Sequence, residues 1–238
     1  MNAGTYPLAA AMINQLNRVD TISNNLANAN TNGFKQEGLS EGSFNNYLQK
    51  AQAKGETPLK ESEIFNTVPK IDAKYISSEQ GAIVPTANEM DFALKHPDTF
   101  FMVQGKGGEV LYTRDGAFKS LDGQVVTGNG MAVLSADGEP LSTEDAFGPL
   151  VGVVKVDFTN LEKVGDNNYR LKNQNERELI EDNSEFVLQG AVEKSNVNSV
   201  TAMVALIDAH RRFEQAQKGV MTIDEINSKV IERIGSGK

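Results

Sequence analysis

Leu206-Ile207-Asp208-Ala209-His210-Arg211-Arg212-Phe213-Glu214-Gln215-Ala216-Gln217-Lys218-Gly219-Val220-Met221-Thr222-Ile223 decides the architecture of this chain. Leu206, Ala209, Phe213, Ala216, Val220 and Ile223 recur at alternating steps of three and four, and Asn227, Val230 and Ile234 continue the series. Such spacing lines one stripe of a helix and leaves a seam that a partner helix must cover. The helix is predicted from about Val197 to Ile234. Ser195 or Asn196 would be its N-cap, and Gly219 is the position suited to a bend. At the other end of the chain Ala9, Met12, Leu16, Val19, Ser23 and Leu26 repeat the same steps. That segment is predicted as a helix from about Pro7 to Ala29. It is closed by Asn24, Asn25, Asn28, Asn30, Asn32 and Gly33, residue types that tolerate left-handed backbone and end helices. Phe34, just beyond, is placed to pack back over the last turn. Two such stripes can pair with each other and then with copies from neighbouring chains, so the chain reads as a subunit built to polymerise.

Between the helices the pattern changes. Residues 36–66 are polar and weakly periodic, with Gly38, Gly42, Gly55 and Pro58 as breaks, and are expected to form an extended connector with one short helix around Phe44 to Ala53. From Val68 to about Gly190, short apolar runs alternate with turn signals. Asp-Gly stands at 115–116, 122–123 and 137–138, and Gly128-Asn129-Gly130 adds another turn. Strands are expected at Phe100 to Val103, Val110 to Tyr112, Gln124 to Thr127 and Ala132 to Leu134, with Val154, Val156 and Phe158 alternating as a half-buried strand. Turns this frequent imply antiparallel pairing, since parallel strands need long crossovers. The fold class is α+β: N- and C-terminal helices pairing as a coiled-coil layer around a central, mainly antiparallel β domain. The division expected is 1–35 and 191–238 for the helical layer, 36–66 for the connector and 67–190 for the β domain.

Composition narrows the function. The chain has 238 residues, 23 Lys and Arg against 32 Asp and Glu, and a net charge of −9, which argues against nucleic acid as the main partner. It contains no Cys, so disulfides, thiol catalysis and Cys-bound metal are excluded. No run approaches 18 apolar residues, so no membrane-inserted helix is expected. The start, Met1 to Tyr6, lacks a basic leader and a cleavage site, which leaves a cytoplasmic protein or one exported without leader removal.

Catalytic and metal motifs fail one by one. Gly105-Lys106-Gly107-Gly108-Glu109 lacks the Gly-Lys-Ser/Thr ending of a phosphate loop and reads as a hairpin turn. Asp137-Gly138 with Glu144 has calcium-loop spacing, but Val133 and Ser135 would occupy ligand positions one and three. His96 lies near Asp91 and Asp98 without a nucleophile motif. His210 has no second histidine at metal spacing. Catalytic residues, metal ligands and cofactors are therefore all expected to be none. Arg211-Arg212 reads either as a solvated helix face, with pairs such as Asp208 to Arg212, or as a contact for an acidic patch on an adjacent subunit.

Ile22-Ser23-Asn24-Asn25-Leu26-Ala27-Asn28-Ala29-Asn30-Thr31-Asn32-Gly33-Phe34-Lys35 resembles the N-terminal signature of the bacterial flagellar rod and hook protein family. Ser195-Asn196-Val197, Ala202-Met203, Ile207 and Arg211-Arg212-Phe213-Glu214 are similar to its proximal-rod branch. Glu89 to Leu94, Phe100 to Gln104 and Tyr112 to Phe118 resemble the family's β segments. Asn198 and Arg211-Arg212-Phe213 depart from the distal-rod and hook pattern, and residues 36–66 match neither type.

The resemblance implies a non-enzymatic subunit of the basal-body rod, the periplasm-spanning drive shaft. Such a subunit is exported through the flagellar type III apparatus without leader cleavage and partners with copies of itself and other rod proteins, proximal subunits below and distal rod above. A distal-rod or hook-type axial subunit is the next reading, and a soluble coiled-coil adaptor a remoter one. The assembly contacts implied are Met12, Leu16, Val19, Asn24, Asn25, Leu26, Asn28, Gly33 and Phe34 from one end. From the other come Ser195, Asn196, Val197, Met203, Leu206, Ile207, Arg211, Arg212, Phe213, Val220 and Ile223. Met12, Leu16, Val19 and Leu26 are expected to pack on Phe213, Val220 and Ile223, within a subunit and across neighbours.

Overall fold

A computed structural model describes residues 5–42, 70–143, 148–173, 176–180 and 182–236. The expected helix at Phe44 to Ala53 lies outside them. The chain forms two compact units, a helical one drawn from within 1–26, 37–75 and 198–238, and a β unit drawn from within 27–36 and 76–197.

In the helical unit, α1 spans Thr5–Ala27 and α2 spans Ser199–Ser236 without interruption at Gly219. The N-cap of α2 is Asn198 rather than Ser195 or Asn196. Its Oδ1 accepts from the Thr201 N–H at 3.1 Å, and its carbonyl accepts the first helical bond from Ala202. Ser195 has a more local job, its Oγ accepting from the Val197 N–H at 3.2 Å.

The α2 seam falls where the heptad places it. Leu206, Ala209, Phe213, Ala216, Val220, Ile223 and Asn227 are buried or half-buried, whereas Val230 and Ile234 at the far end are exposed. On α1 the sheltered face lies about one position away from the expected stripe. Leu8, Met12, Gln15, Val19, Ile22, Asn25 and Leu26 are covered, while Leu16 is 46% exposed. Leu8 Cδ1 lies 3.4 Å from where a Cβ on Gly219 would sit, so the two helices meet there. Strands β1 (Glu37–Gly42) and β2 (Lys70–Ile76) pair as a two-stranded ribbon, with the Tyr75 ring over Gly38 leaving no room for a Cβ.

The β unit is built on a six-stranded sheet of β5 (Thr99–Gln104), β6 (Val110–Thr113), β9 (Val153–Val156), β10 (Leu161–Gly165), β11 (Asn168–Leu171) and β12 (Arg177–Ile180). Its order is β10-β11-β6-β5-β9-β12. The strand pairings of this unit are antiparallel. Both faces are covered. Phe101, Val103, Leu111 and Val153 join one apolar cluster, and Phe100, Met102, Tyr112, Val154 and Tyr169 join another. This is why Thr99-Phe100-Phe101-Met102-Val103 reads as a continuous apolar run rather than an alternation.

Shorter ribbons complete the unit. Strand β3 (Ile83–Pro85) pairs with β14 (Ala191–Glu193), β4 (Phe92–Leu94) with β13 (Val187–Gln189), and β7 (Lys119–Leu121) with β8 (Gln124–Val126).

The turn signals divide by their physics. Asp122 and Gly123, at φ 51° and 81°, make the β7–β8 hairpin, and Gly105 to Glu109 closes β5 onto β6. Asp115-Gly116 is not a hairpin. Gly116 is wedged against the Phe92 carbonyl, where a Cβ would come within 1.8 Å, and Asp115 Oδ1 accepts from the Ala117 N–H. Ala132 to Leu134 forms only isolated bridges, to Val126, Val103 and Pro140. Strand β9 ends at Val156 because Asp157 caps a 3₁₀ turn that takes up Phe158.

Candidate assembly junction

Residues 33–37 are where the asparagine signature and the approach to α2 come together. Along this short segment, six backbone groups meet partners from elsewhere in the chain. The Gly33 N–H donates to the Glu193 carbonyl at 2.7 Å, and the Phe34 carbonyl accepts from the Asn196 N–H at 3.3 Å. The Gln36 N–H donates to Asn196 Oδ1 at 2.7 Å, and the Gln36 carbonyl accepts from the Ser77 N–H at 2.8 Å. At Glu37 the Asn25 side chain makes both bonds of a strand partner, Oδ1 accepting from the N–H at 2.9 Å and Nδ2 donating to the carbonyl at 2.7 Å.

Amides suit this work because one side chain both donates and accepts, imitating a peptide group. Asn196 also donates through Nδ2 to the Glu79 carbonyl at 3.0 Å. Asn32 adds two further ties, its carbonyl accepting from Asn167 Nδ2 and its Oδ1 from Lys194 Nζ. Gly33 is obligatory on two counts. Its φ is +65°, and a Cβ would lie 2.3 Å from the Arg114 carbonyl carbon. Phe34 packs inside the β unit, 2% exposed, with Lys163 Nζ 4.1 Å from its ring centroid.

Beneath the segment lies an ion cluster that sequence reading misses. Lys35, Arg114 and Glu193 are all essentially inaccessible to solvent. Lys35 Nζ donates to Glu193 Oε1 at 2.8 Å and to the Glu79 carbonyl at 2.6 Å. Arg114 Nε donates to Glu193 Oε2 at 2.7 Å. Its Nη2 lies 2.6 Å from the same oxygen as a charge contact off the N–H direction. Arg114 Nη1 gathers the carbonyls of His96, Pro97 and Thr99, and the Gly81 N–H completes Glu193 Oε1.

Two cations share one carboxylate, so burial, and then the Arg114 charge, hold the Lys35 pKa below its ordinary value against the opposing pull of Glu193. Buried ion clusters are weak sources of net stability but costly to break. This one therefore fixes how residues 35, 114 and 193 must meet. No local spacing announces it. The nearest signal is a charged residue closing an apolar pair, as in Ala191-Val192-Glu193.

The remaining candidate residues lie on the helices. Met12, Val19 and Leu26 are half-buried on α1, and Leu206, Phe213, Val220 and Ile223 half-buried on α2. Asn24 is exposed and Asn28 accepts from the Thr31 hydroxyl, while Val197 is half-buried. Met203 and Ile207 are each 52% exposed, and Arg211 and Arg212 are solvent-facing. No Asp208–Arg212 ion pair forms among the described residues. The i,i+4 pairs on α2 are His210–Glu214 at 3.3 Å and Lys229–Glu225 at 2.6 Å. The residues weighed for a catalytic group have separate partners. His96 stacks on Phe186, Asp98 pairs with Lys155, and Asp91 accepts from Asn88 Nδ2. Among the described residues no helix is long and apolar enough to cross a membrane.

Comparison with known proteins places these segments. Residues 6–35 match the family described as flagella basal body rod protein, 97–159 the flagellar hook protein FlgE/F/G D1 domain, and 188–233 the flagellar basal body rod FlgEFG protein C-terminal family. The chain is similar to the flagellar basal-body rod protein FlgF of Mesorhizobium japonicum, 30% identical with 99% of each chain covered. It is likewise 30% identical to the protein of that name in Caulobacter vibrioides, over 91% of each chain, and 28% identical to that of Rhizobium meliloti over the whole of both. The first and last matched segments meet at the stitched crossing of residues 33–37.

Proposed function

This chain belongs to the flagellar basal-body rod protein family, and on that premise we propose that it is a structural subunit of the proximal rod. It polymerises axially through its terminal helices into the shaft that carries torque from motor to hook. It is not an enzyme and takes no cofactor. Its partners are copies of itself and other rod proteins, proximal subunits below and distal rod above. It reaches the periplasm-spanning rod through the flagellar type III export apparatus with no leader removed. The helical layer (1–35 and 191–238), the connector (36–66) and the β domain (67–190) act as separate working parts.

The observation that carries the reading is the pair of apolar seams from opposite ends of the chain, which meet where Leu8 touches Gly219. Phe213, Val220 and Ile223 form the α2 side and Met12, Val19 and Leu26 the α1 side of a coiled-coil pair, with Leu16 turned to a neighbour. Asn24, Asn25, Asn28, Gly33, Phe34, Ser195, Asn196 and Val197 support the assembly from the segments next to the helices. Leu206 belongs to the α2 seam, and Met203, Ile207, Arg211 and Arg212 face adjoining subunits. Burying each Leu or Phe contributes about 1.5–3 kcal/mol, enough in sum to offset the ordering of helices that are marginal alone. The ends therefore complete their folding on assembly.

Basal bodies purified from cells carrying a tagged copy test the role. The tagged chain is expected in the rod fraction, and Phe213→Asp is expected to remove it from that fraction while the β unit stays folded. A tagged chain absent from intact basal bodies would end the proposal.

A further inference from the structure

We propose that Asn129 is a site of self-modification, its side-chain amide cyclising onto the Gly130 nitrogen and opening to aspartate and isoaspartate, while the fold protects Asn32 from the same reaction. The inference uses the chemistry of two turns and does not depend on the rod reading. Asn-Gly stands at 32–33 and at 129–130. In each pair the following residue has no Cβ, so its nitrogen can approach the neighbouring amide without steric hindrance. The local sequence offers both asparagines the same reaction, and the surroundings separate them.

At the first pair the atoms that must move are held. The Gly33 N–H donates to the Glu193 carbonyl at 2.7 Å. Asn32 Oδ1 accepts from Lys194 Nζ at 3.0 Å, and the Asn32 carbonyl accepts from Asn167 Nδ2 at 2.9 Å. Gly33 is buried, with the Arg114 backbone 2.3 Å from where a Cβ would stand, so the peptide between 32 and 33 has no room to turn.

At the second pair the surroundings are open. Gly128, Asn129 and Gly130 are exposed, and a Cβ on either glycine would meet nothing within 4 Å. The Gly130 N–H is tied within the turn itself, to the Thr127 carbonyl at 3.0 Å, and Asn129 Nδ2 donates to the Asp166 carbonyl at a long 3.3 Å. An exposed turn opens at little cost, whereas freeing Gly33 means dismantling a buried crossing.

The reaction needs water and no other reagent. The Gly130 nitrogen gives up its proton, and its electron pair forms a bond to Asn129 Cγ. The Cγ–Nδ2 bond breaks, and Nδ2 takes up a proton and leaves as ammonia, closing a five-membered succinimide. Water then adds to one of the two ring carbonyls. Breaking the new Cγ–N bond gives aspartate. Breaking the original backbone C–N bond gives isoaspartate, whose main chain runs through Cγ. Either way a neutral amide becomes a carboxylate with no oxidation or reduction. The carboxylate faces the Asp166 carbonyl where an N–H donor stood, so that tie is lost. Asp166 adjoins Asn167, whose side chain holds the Asn32 carbonyl, so the change removes a support one residue from the crossing.

The full chain is kept in mildly alkaline buffer, folded and in urea, and peptide mass spectrometry follows acid formation at both asparagines. In the folded chain Asn129 is expected to convert at least ~10-fold faster than Asn32, because the buried crossing opens more rarely than the exposed turn. In urea the two are expected to convert at similar rates. Asn129→Gln, whose longer side chain would have to close a less favourable six-membered ring, is expected to stop acid formation at 129 and to leave the circular dichroism spectrum unchanged. Four results would each overturn the assignment: Asn32 converting as fast as Asn129 in the folded chain, no conversion at Asn129, a rate difference undiminished in urea, or acid still forming at 129 in Asn129→Gln.

Discussion

Replacing Glu193 by glutamine tests the buried cluster with the smallest change of shape. The carbonyl of the new side-chain amide can still accept from Lys35 and from the Gly81 N–H, as Glu193 Oε1 does at 2.8 and 2.9 Å. The amide nitrogen, however, would face Arg114 Nε, a donor against a donor 2.7 Å away in the native geometry. Two buried cations would then share no counter-charge. Removing one partner of a buried ion pair costs about 3–5 kcal/mol, a large part of the roughly 5–15 kcal/mol that holds a typical domain together. For a unit of this size that corresponds to a fall in melting temperature of about 10–20 °C.

With no Trp in the chain, the assay is far-UV circular dichroism, or fluorescence of the buried Tyr112 and Tyr169, against urea. Lys35→Met in the Glu193→Gln background should recover at least about 1.5 kcal/mol relative to additivity, because it removes one of the two stranded charges. pH supplies an independent sign. Lys35 has a lowered pKa in the fold and its ordinary 10.5 when unfolded. Between those values the unfolded chain binds the extra proton, so native stability rises with pH through that window. In Glu193→Gln the pull of Glu193 that raises the Lys35 pKa is lost. The window therefore widens downward, and the loss of stability should shrink as pH climbs toward 10.5. A Glu193→Gln protein within about 1 kcal/mol of the native one, or a deficit that grows with pH, would refute the reasoning.

Gly33→Ala combines a left-handed φ with a contact of 2.3 Å to the Arg114 backbone, so it should cost at least about 1–3 kcal/mol in urea denaturation; a change below about 0.5 kcal/mol contradicts the described crossing. Ala87 carries a φ of +61° without being glycine, and Ala87→Gly should leave stability equal or raise it by about 0.5–1 kcal/mol, whereas a clear loss means the strain is absent. Asn25→Ala deletes both bonds to the Glu37 peptide and should cost about 1–3 kcal/mol, seen as faster hydrogen exchange at Glu37; unchanged exchange there would rule out the clip.

The parts of the fold legible in the sequence are those with a local period. The α2 seam from Leu206 to Asn227 falls where its steps of three and four put it, because nothing competes with burial along that face. On α1 the same count is off by about one residue. Asn25 is buried for its hydrogen bonds to Glu37, and Leu16, apolar and on the expected stripe, is half-exposed. A pattern that scores only hydrophobicity cannot see an amide buried for its bonds. Strand β5 is readable as a strand, but the covering of both its faces is not, because that depends on what packs above and below.

The junction is least legible. Its asparagines look like helix-ending loop residues, and that is half of their role. The other half needs Glu37 and Glu79 in place. Arg114 and Glu193 are 79 residues apart and Lys35 and Glu193 are 158 apart, so only the folded chain brings the three together.

Residues 33–37 have a mechanical meaning that equilibrium stability does not capture. Bonds from Glu193, Asn196, Ser77 and Asn25 hold this short stretch along its length and from several directions. A pull delivered along the backbone from residue 27 meets the bonds from Glu193, Asn196 and Ser77 within four residues of chain, so it loads them together. Such a patch yields only when several bonds fail together, so it stays stiff under small forces and gives way abruptly under large ones.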